Sequence, residues 1–136
     1  MAELLPLTLT KVMQSRAYTV IILGTENKKF AIYTEPHTGL HIQSYLAHTH
    51  PTRPSTYDLL DRVFRGLNVK PLQVVIQDVE ETVYYARLFA EQIIGDQKII
   101  LEVDARPSDC ITLALKYQIP LFCTPAVLEK SVAVED

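Results

Sequence analysis

Glu102-Val103-Asp104-Ala105-Arg106-Pro107-Ser108-Asp109, followed by Cys110-Ile111-Thr112-Leu113-Ala114-Leu115, reads as a strand running into a helix. Apolar residues occupy nearly every side of that helix, so it belongs inside a core. Charge gathers where the two elements meet. Glu102 and Asp104 lie on the strand, Arg106 follows, and Asp109 falls in the first helical turn. Strand alternation sends Glu102 and Asp104 to one face, and Leu101 and Val103 to the other, toward the core. Pro107 suits a first helical position, and Asp109 suits the positive end of the helix.

The stretch ends a three-stranded antiparallel meander read over residues 72–79, 83–94 and 98–104, with turns at 78–82 and 95–97. Ahead of it, residues 5–13 and the β-branched run 18–23 read as strands. Residues 30–33 make a hairpin with the second of these, which is poor enough in charge to lie within a sheet. Glu35-Pro36 opens a helix to about residue 47, weakened at Gly39 by about 1 kcal/mol relative to alanine. A proline-rich loop follows. Residues 55–67 form the clearest helix, with Leu59, Leu60, Val63, Phe64 and Leu67 as its apolar stripe. Past the opening stretch come a short apolar run at 121–123, a last helix to about Lys130, and a tail expected to fray. The expectation is an α+β fold: an antiparallel hairpin and a three-stranded meander packed with about three helices in a single compact domain.

The 136 residues suit one domain, and a hydrophobic share of 48% allows a real core. A net charge of −3 leaves no global basic footprint, so any contact with nucleic acid needs a local basic patch. Cys110 and Cys123 both sit in apolar surroundings. Two buried thiols point to a reducing compartment and a cytoplasmic protein. No secretory leader and no membrane-spanning run is read.

The spacing supports two readings of the charged junction. Asp104, Asp109 and Glu102 near one point would hold a divalent cation such as Mg2+ or Mn2+, with Arg106 binding phosphate at the helix end. The plainer reading has Asp109 capping the helix, Arg106 pairing with Asp104, and Glu102 solvated. Arg87 stands between Tyr85 and Phe89 on one strand face, where it would hold phosphate beside stacked bases or pair with Glu91 or Glu102. His37 and His41 have a zinc-ligand spacing but no third ligand nearby, and read as surface histidines. His48 and His50 flank a loop with no partner singled out for base catalysis. Arg53-Pro54-Ser55 echoes Arg106-Pro107-Ser108. Each triplet is read as opening a buried helix with proline at the first helical position, and Asp58 and Asp109 follow in the first turns.

Val103 to Leu115 resembles the "V-D-A-R-P-S-D-A-I-A-L-A" signature of the bifunctional nuclease domain family. Thr82-Val83-Tyr84-Tyr85-Ala86-Arg87-Leu88 is similar to its "T-F-Y-A-R-L" strand, and Arg53-Pro54-Ser55-Thr56-Tyr57-Asp58-Leu59-Leu60 to its "R-P-L-T-H-D-L-L". The resemblance implies one domain over residues 1–130 with an acidic tail at 131–136, a homo-oligomer with a dimer favoured, DNA or RNA as partner, no membrane, and cleavage of DNA and RNA. By motif matching it carries over Asp104, Arg106, Ser108 and Asp109, then Arg87, then Arg53, Thr56 and Asp58. Two positions depart. Tyr57 stands where the family usually has histidine, and Thr38 where it commonly has glutamate. Tyrosine, with an ordinary pKa near 10, is a poor base at neutral pH. Two functions follow: a metal-assisted nuclease, or a catalytically weakened member acting as a regulatory or protein-interaction module.

Overall fold

The computed structural model describes residues 3–49 and 52–135. The elements run β1 (Leu5–Gln14), β2 (Thr19–Gly24), β3 (Lys29–Thr34), α1 (Pro36–Leu46), α2 (Thr56–Gly66), β4 (Val69–Glu80), β5 (Val83–Ile94), β6 (Gln97–Ala105), α3 (Pro107–Tyr117), β7 (Leu121–Cys123) and α4 (Pro125–Lys130). The hairpin and the meander are parts of one mixed seven-stranded sheet, ordered β3-β2-β1-β7-β4-β5-β6. The piece that joins them is β7. It pairs antiparallel with β1, Leu5 opposite Cys123, and parallel with β4, Val74 opposite Leu121. A three-residue strand persists because both of its edges are hydrogen-bonded and Cys123 is fully buried. To reach that slot the chain leaves β6 at the sheet edge and returns over β5 and β4 as α3.

One face of the sheet builds the core. Ile21, Leu23, Phe30, Ile32, Val74, Ile76, Ala86 and Leu88 pack against Ile42 of α1 and against Cys110, Ile111, Leu113 and Ala114 of α3. The expected burial of α3 holds: its residues from Cys110 to Ala114 are all buried. Burial also pushes the free Cys110 thiol up to about 12 and Cys123 to about 11, so neither is a ready nucleophile.

Three local expectations need correction. The apolar stripe of α2 is not a core face: Leu60 and Phe64 are half-buried, while Leu59, Val63 and Leu67 are exposed. Val103 is also exposed, because β6 is the last strand and, among the described residues, no helix covers its end of the inner face fully. The two Arg-Pro-Ser triplets enter their helices out of phase. Ser55 is itself the cap of α2, in a capping box with Asp58, so Pro54 lies ahead of the helix. Arg106 is the cap of α3, and Pro107 is its first helical residue. The tail is docked as far as Val134, whose N–H donates to the Lys29 carbonyl at 2.9 Å.

Gly39 has a positional reason that periodicity does not reveal. A Cβ there would lie 1.9 Å from Thr19 Oγ1 and 2.3 Å from Gln14 Oε1. Only glycine lets α1 approach β2 this closely. The start of α1 is tied down at the same place: Thr19 Oγ1 donates to Gln14 Oε1 at 2.9 Å, and Gln14 Nε2 to the Pro36 carbonyl at 3.2 Å. Gly39→Ala is expected to destabilise the protein by about 1–3 kcal/mol through overpacking, despite alanine's better helix propensity. Urea unfolding checks it; an unchanged or raised midpoint would show that α1 does not need the close approach.

Candidate active site

Three helix starts meet above the sheet end where β6 becomes α3. Glu35 caps α1 with extended backbone and Pro36 behind it. Tyr57 lies in the first turn of α2, and Arg106 and Asp109 open α3. The positive ends of three helix dipoles favour anions here, and two carboxylates supply them. The Arg106 guanidinium forks between both. Its Nε donates to Asp109 Oδ2 at 2.9 Å and Nη2 to Asp109 Oδ1 at 3.3 Å, while Nη1 and Nη2 donate to the two Glu35 oxygens at 3.2 and 3.1 Å. Four of the five guanidinium hydrogens are thereby used, leaving one on Nη1. Thr38 Oγ1 donates to Glu35 Oε1 at 2.5 Å, and Thr34 Oγ1 to Oε2 at 2.9 Å. The Tyr57 hydroxyl donates to Asp109 Oδ1 at 2.7 Å.

Titration follows that geometry. The Thr38 hydroxyl, then Arg106, hold the Glu35 carboxyl down at about 2. Asp109 and Glu35 raise Arg106 above its already high value. Burial, then the bond to Asp109, push Tyr57 up to about 12, so it stays protonated as a hydrogen-bond donor to Asp109 and is not a base.

The cluster borders an apolar groove of about 510 Å³ lined by Tyr57, Leu60 and Phe64 of α2, Leu88, Val103, Asp109 and Leu113. His41 lines it too. Its half-buried ring stands edge-on to Tyr57, with ring centroids 5.1 Å apart, and to His37 at 4.9 Å. Desolvation, then the neighbouring His37, lower the His41 pKa, so the ring is neutral at neutral pH. His41 also lines a second groove of about 540 Å³ with Arg53, Arg62, Lys116 and Asp58. Three cations stand there against one carboxylate, a local basic patch on a chain of net negative charge. Glu35 and Arg106 in turn border a third hollow beside Tyr84 and the buried Ser108.

The residues singled out in the sequence thus divide into three sets. Tyr57, Thr56, Arg106 and Asp109 share the central groove. Arg53 and Asp58 face the basic groove, where Asp58 accepts from Lys116 Nζ at 2.8 Å and closes its own capping box. Arg87 and Glu102 pair with each other at 3.0 Å on β5 and β6. Asp104 stands opposite Arg87 in the β5–β6 register, whereas Val103 stands opposite Leu88. Asp104 therefore projects from the outer face, away from the groove that Val103 and Asp109 line. The register does not bring Asp104 and Asp109 together, and among the described residues no three of His, Cys, Asp and Glu gather as a metal nest. Asp109 and Glu35, the two carboxylates of the cluster, already share one guanidinium. The donor set does not fit a resident divalent cation.

Two residues of the site carried no such weight in the sequence. Glu35 reads there as a helix-start residue; its contact with Arg106 spans 71 positions, beyond any local pattern. His41 reads as a surface histidine, because only the fold sets Tyr57 against it. His50 lies outside the described residues.

This is an α+β domain with a carboxylate–arginine cluster at converging helix starts. A profile of the bifunctional nuclease domain matches residues 20–136, and the chain belongs to that family. Two uncharacterized proteins of Mycobacterium tuberculosis, from two strains, are each 36% identical to it over 81 residues. The match covers 60% of this chain and 45% of each relative, so it spans less than half of their length. Among the described residues no helix is long and apolar enough to cross a membrane.

Glu35 and Asp58 predict an acid-sensitive fold. Lys116 and the Ser55 backbone N–H hold Asp58 at about 2, as Thr38 and Arg106 do Glu35. Folded pKa values below the ordinary 4.5 and 3.8 mean stability that is present above those values and lost as pH falls toward 2. Unfolding free energies measured across that window are expected to fall with pH in the wild type, and less steeply in Glu35→Gln and Asp58→Asn. Parallel slopes would contradict the assignment.

Proposed function

We propose that this domain binds DNA or RNA along the basic groove and cleaves its phosphodiester bonds, with His41 as general base. The observation that carries the reading is the position of the neutral His41 ring. It lies between the cation-lined groove and the carboxylate–arginine groove, where a base and a phosphate would meet. Arg53, Arg62 and Lys116 hold backbone phosphates by charge. His41 takes a proton from an attacking water, whose oxygen bonds to phosphorus as the ester P–O bond breaks and the leaving sugar oxygen takes a proton from solvent. Arg106 offers its one remaining N–H to the charge that develops, while Glu35 and Asp109 fix its plane. In this reading His41, reaching across from α1, fills the role that Tyr57 leaves open. No step is routed through a cation. The setting is cytoplasmic, a reading supported by two buried free thiols.

A second reading, an interaction module without catalysis, is favoured by one observation: four of five Arg106 hydrogens are already taken. One experiment separates the two. Purified protein is incubated with single- and double-stranded DNA and RNA, with Mg2+ or Mn2+ and with chelator. The nuclease reading expects His41→Asn to lower cleavage by about 10²–10⁴-fold. It expects Asp104→Asn, on the other face, to leave the rate unchanged. The acid limb of the rate should lie below the ordinary histidine value of 6.5, since protonation of the depressed His41 removes the base. Cleavage no greater than that of His41→Asn supports the module; a loss in Asp104→Asn overturns the division of faces.

A further inference from the structure

Two hydroxyls beside the third hollow have no partner in the fold. Ser108 is only 4% exposed. It stands second in α3, where Arg106 holds the cap position, so the ordinary reason for serine at a helix start does not apply. Thr112 Oγ1 donates to its carbonyl at 2.7 Å, but among the described residues nothing bonds its Oγ. Every fully sealed side-chain oxygen among those residues has a partner, so the Ser108 oxygen keeps an opening, and the hollow that the residue lines supplies it. Tyr84 lines the same hollow, of about 440 Å³. Its ring has a structural reason, stacking on the buried Phe30 at 5.2 Å. Its half-buried hydroxyl has none, and bonds nothing among the described residues. Burying a hydroxyl without a hydrogen bond costs stability, and tyrosine hydroxyls ordinarily find a partner.

We propose that this hollow seats the ribose of a nucleotide beside the cleaved phosphate, with the Ser108 and Tyr84 hydroxyls as partners of its 2′-hydroxyl. The inference rests on the nuclease reading and names the part of the substrate that this side of Arg106 takes. Adjacency supports it first. The hollow shares Glu35 and Arg106 with the carboxylate–arginine groove, so whatever fills it lies next to a phosphate held at Arg106. In a nucleic acid the group on either side of a phosphate is a sugar. Charge narrows the choice. Glu35 and Asp109 outnumber the one guanidinium, so a second phosphate is repelled here and a neutral group is not. Each Glu35 oxygen already accepts two hydrogen bonds, which leaves the two hydroxyls to do the recognition. Ile32, Val83 and Pro107 add apolar wall for the carbons of the ring. Within a strand the 2′-hydroxyl is the only free hydroxyl of the sugar. It both donates and accepts, so it can engage both partners at once, and it is what separates RNA from DNA at such a site.

Ser108→Ala and Tyr84→Phe each remove one oxygen and keep the packing. Urea unfolding of Ser108→Ala is expected to show an unchanged or raised midpoint, because no hydrogen bond of the fold is lost. A lowered midpoint would reveal a structural partner and overturn the inference. Cleavage is then followed on a DNA strand carrying one ribonucleotide and on the same strand in DNA alone. In the wild type a bond flanking the ribose should be cut about fivefold faster than the same bond in the all-DNA strand, the effect of one net hydrogen bond. Each variant should remove most of that preference. A preference that survives both variants comes from the chemistry of the ribose itself and overturns the inference. Equal cutting of both strands by the wild type means that the hollow holds solvent only; the nuclease reading then stands and the ribose site falls. If the wild type cuts neither strand, both fall together.

Discussion

The fork of Arg106 between Glu35 and Asp109 is the interaction on which the site depends. Three helices start at one place, and each start presents unsatisfied N–H groups and a positive dipole end. Left alone, those ends repel. Two carboxylates answer that field, and a single guanidinium keeps the two carboxylates from repelling each other. The fork also fixes distance and orientation, which a lysine point charge would not. Its side chains are near half exposed, so solvent screens it, and its contribution is on the order of 1 kcal/mol. Its structural effect is larger than that figure, because α1 reaches α3 at this end through it and α2 joins through the Tyr57 hydroxyl.

The fork also engages both positions at which this chain departs from the motifs it resembles. Thr38, where the resembled motif commonly has glutamate, is a buried hydroxyl that holds the Glu35 carboxylate one turn earlier. Tyr57, where the resembled motif usually has histidine, donates a hydrogen bond to Asp109 and stands edge-on to His41. The strand that leads into α3 is divided by face. Its inner residues line the groove, and its outer residues meet Arg87 and solvent.

Much of the fold was legible because periodicity is local. The bounds of β5 read from alternation are those of the structure, and the buried α3 follows from its run of apolar residues. What was not legible is what spans the chain. Residues 121–123 look like any short apolar run, and nothing local says that they insert between β1 and β4 and weld the hairpin to the meander. The stripe on α2 has perfect helical spacing, yet periodicity cannot report that half of it has nothing to pack against. Strand alternation correctly put Glu102 and Asp104 on one face. It could not say that α3 would carry Asp109 to the other, and so proximity in sequence overstated proximity in space. Glu35 and His41 were hidden for the converse reason, being far in sequence from the residues they touch.

The most direct test of the account is a double-mutant cycle between Arg106 and Glu35, using Arg106→Met and Glu35→Gln and their combination, read by urea unfolding at neutral pH. A fork that joins α1 to α3 predicts a coupling energy of about 1 kcal/mol, shrinking with added salt. Additive losses, within about 0.3 kcal/mol and indifferent to salt, would contradict it.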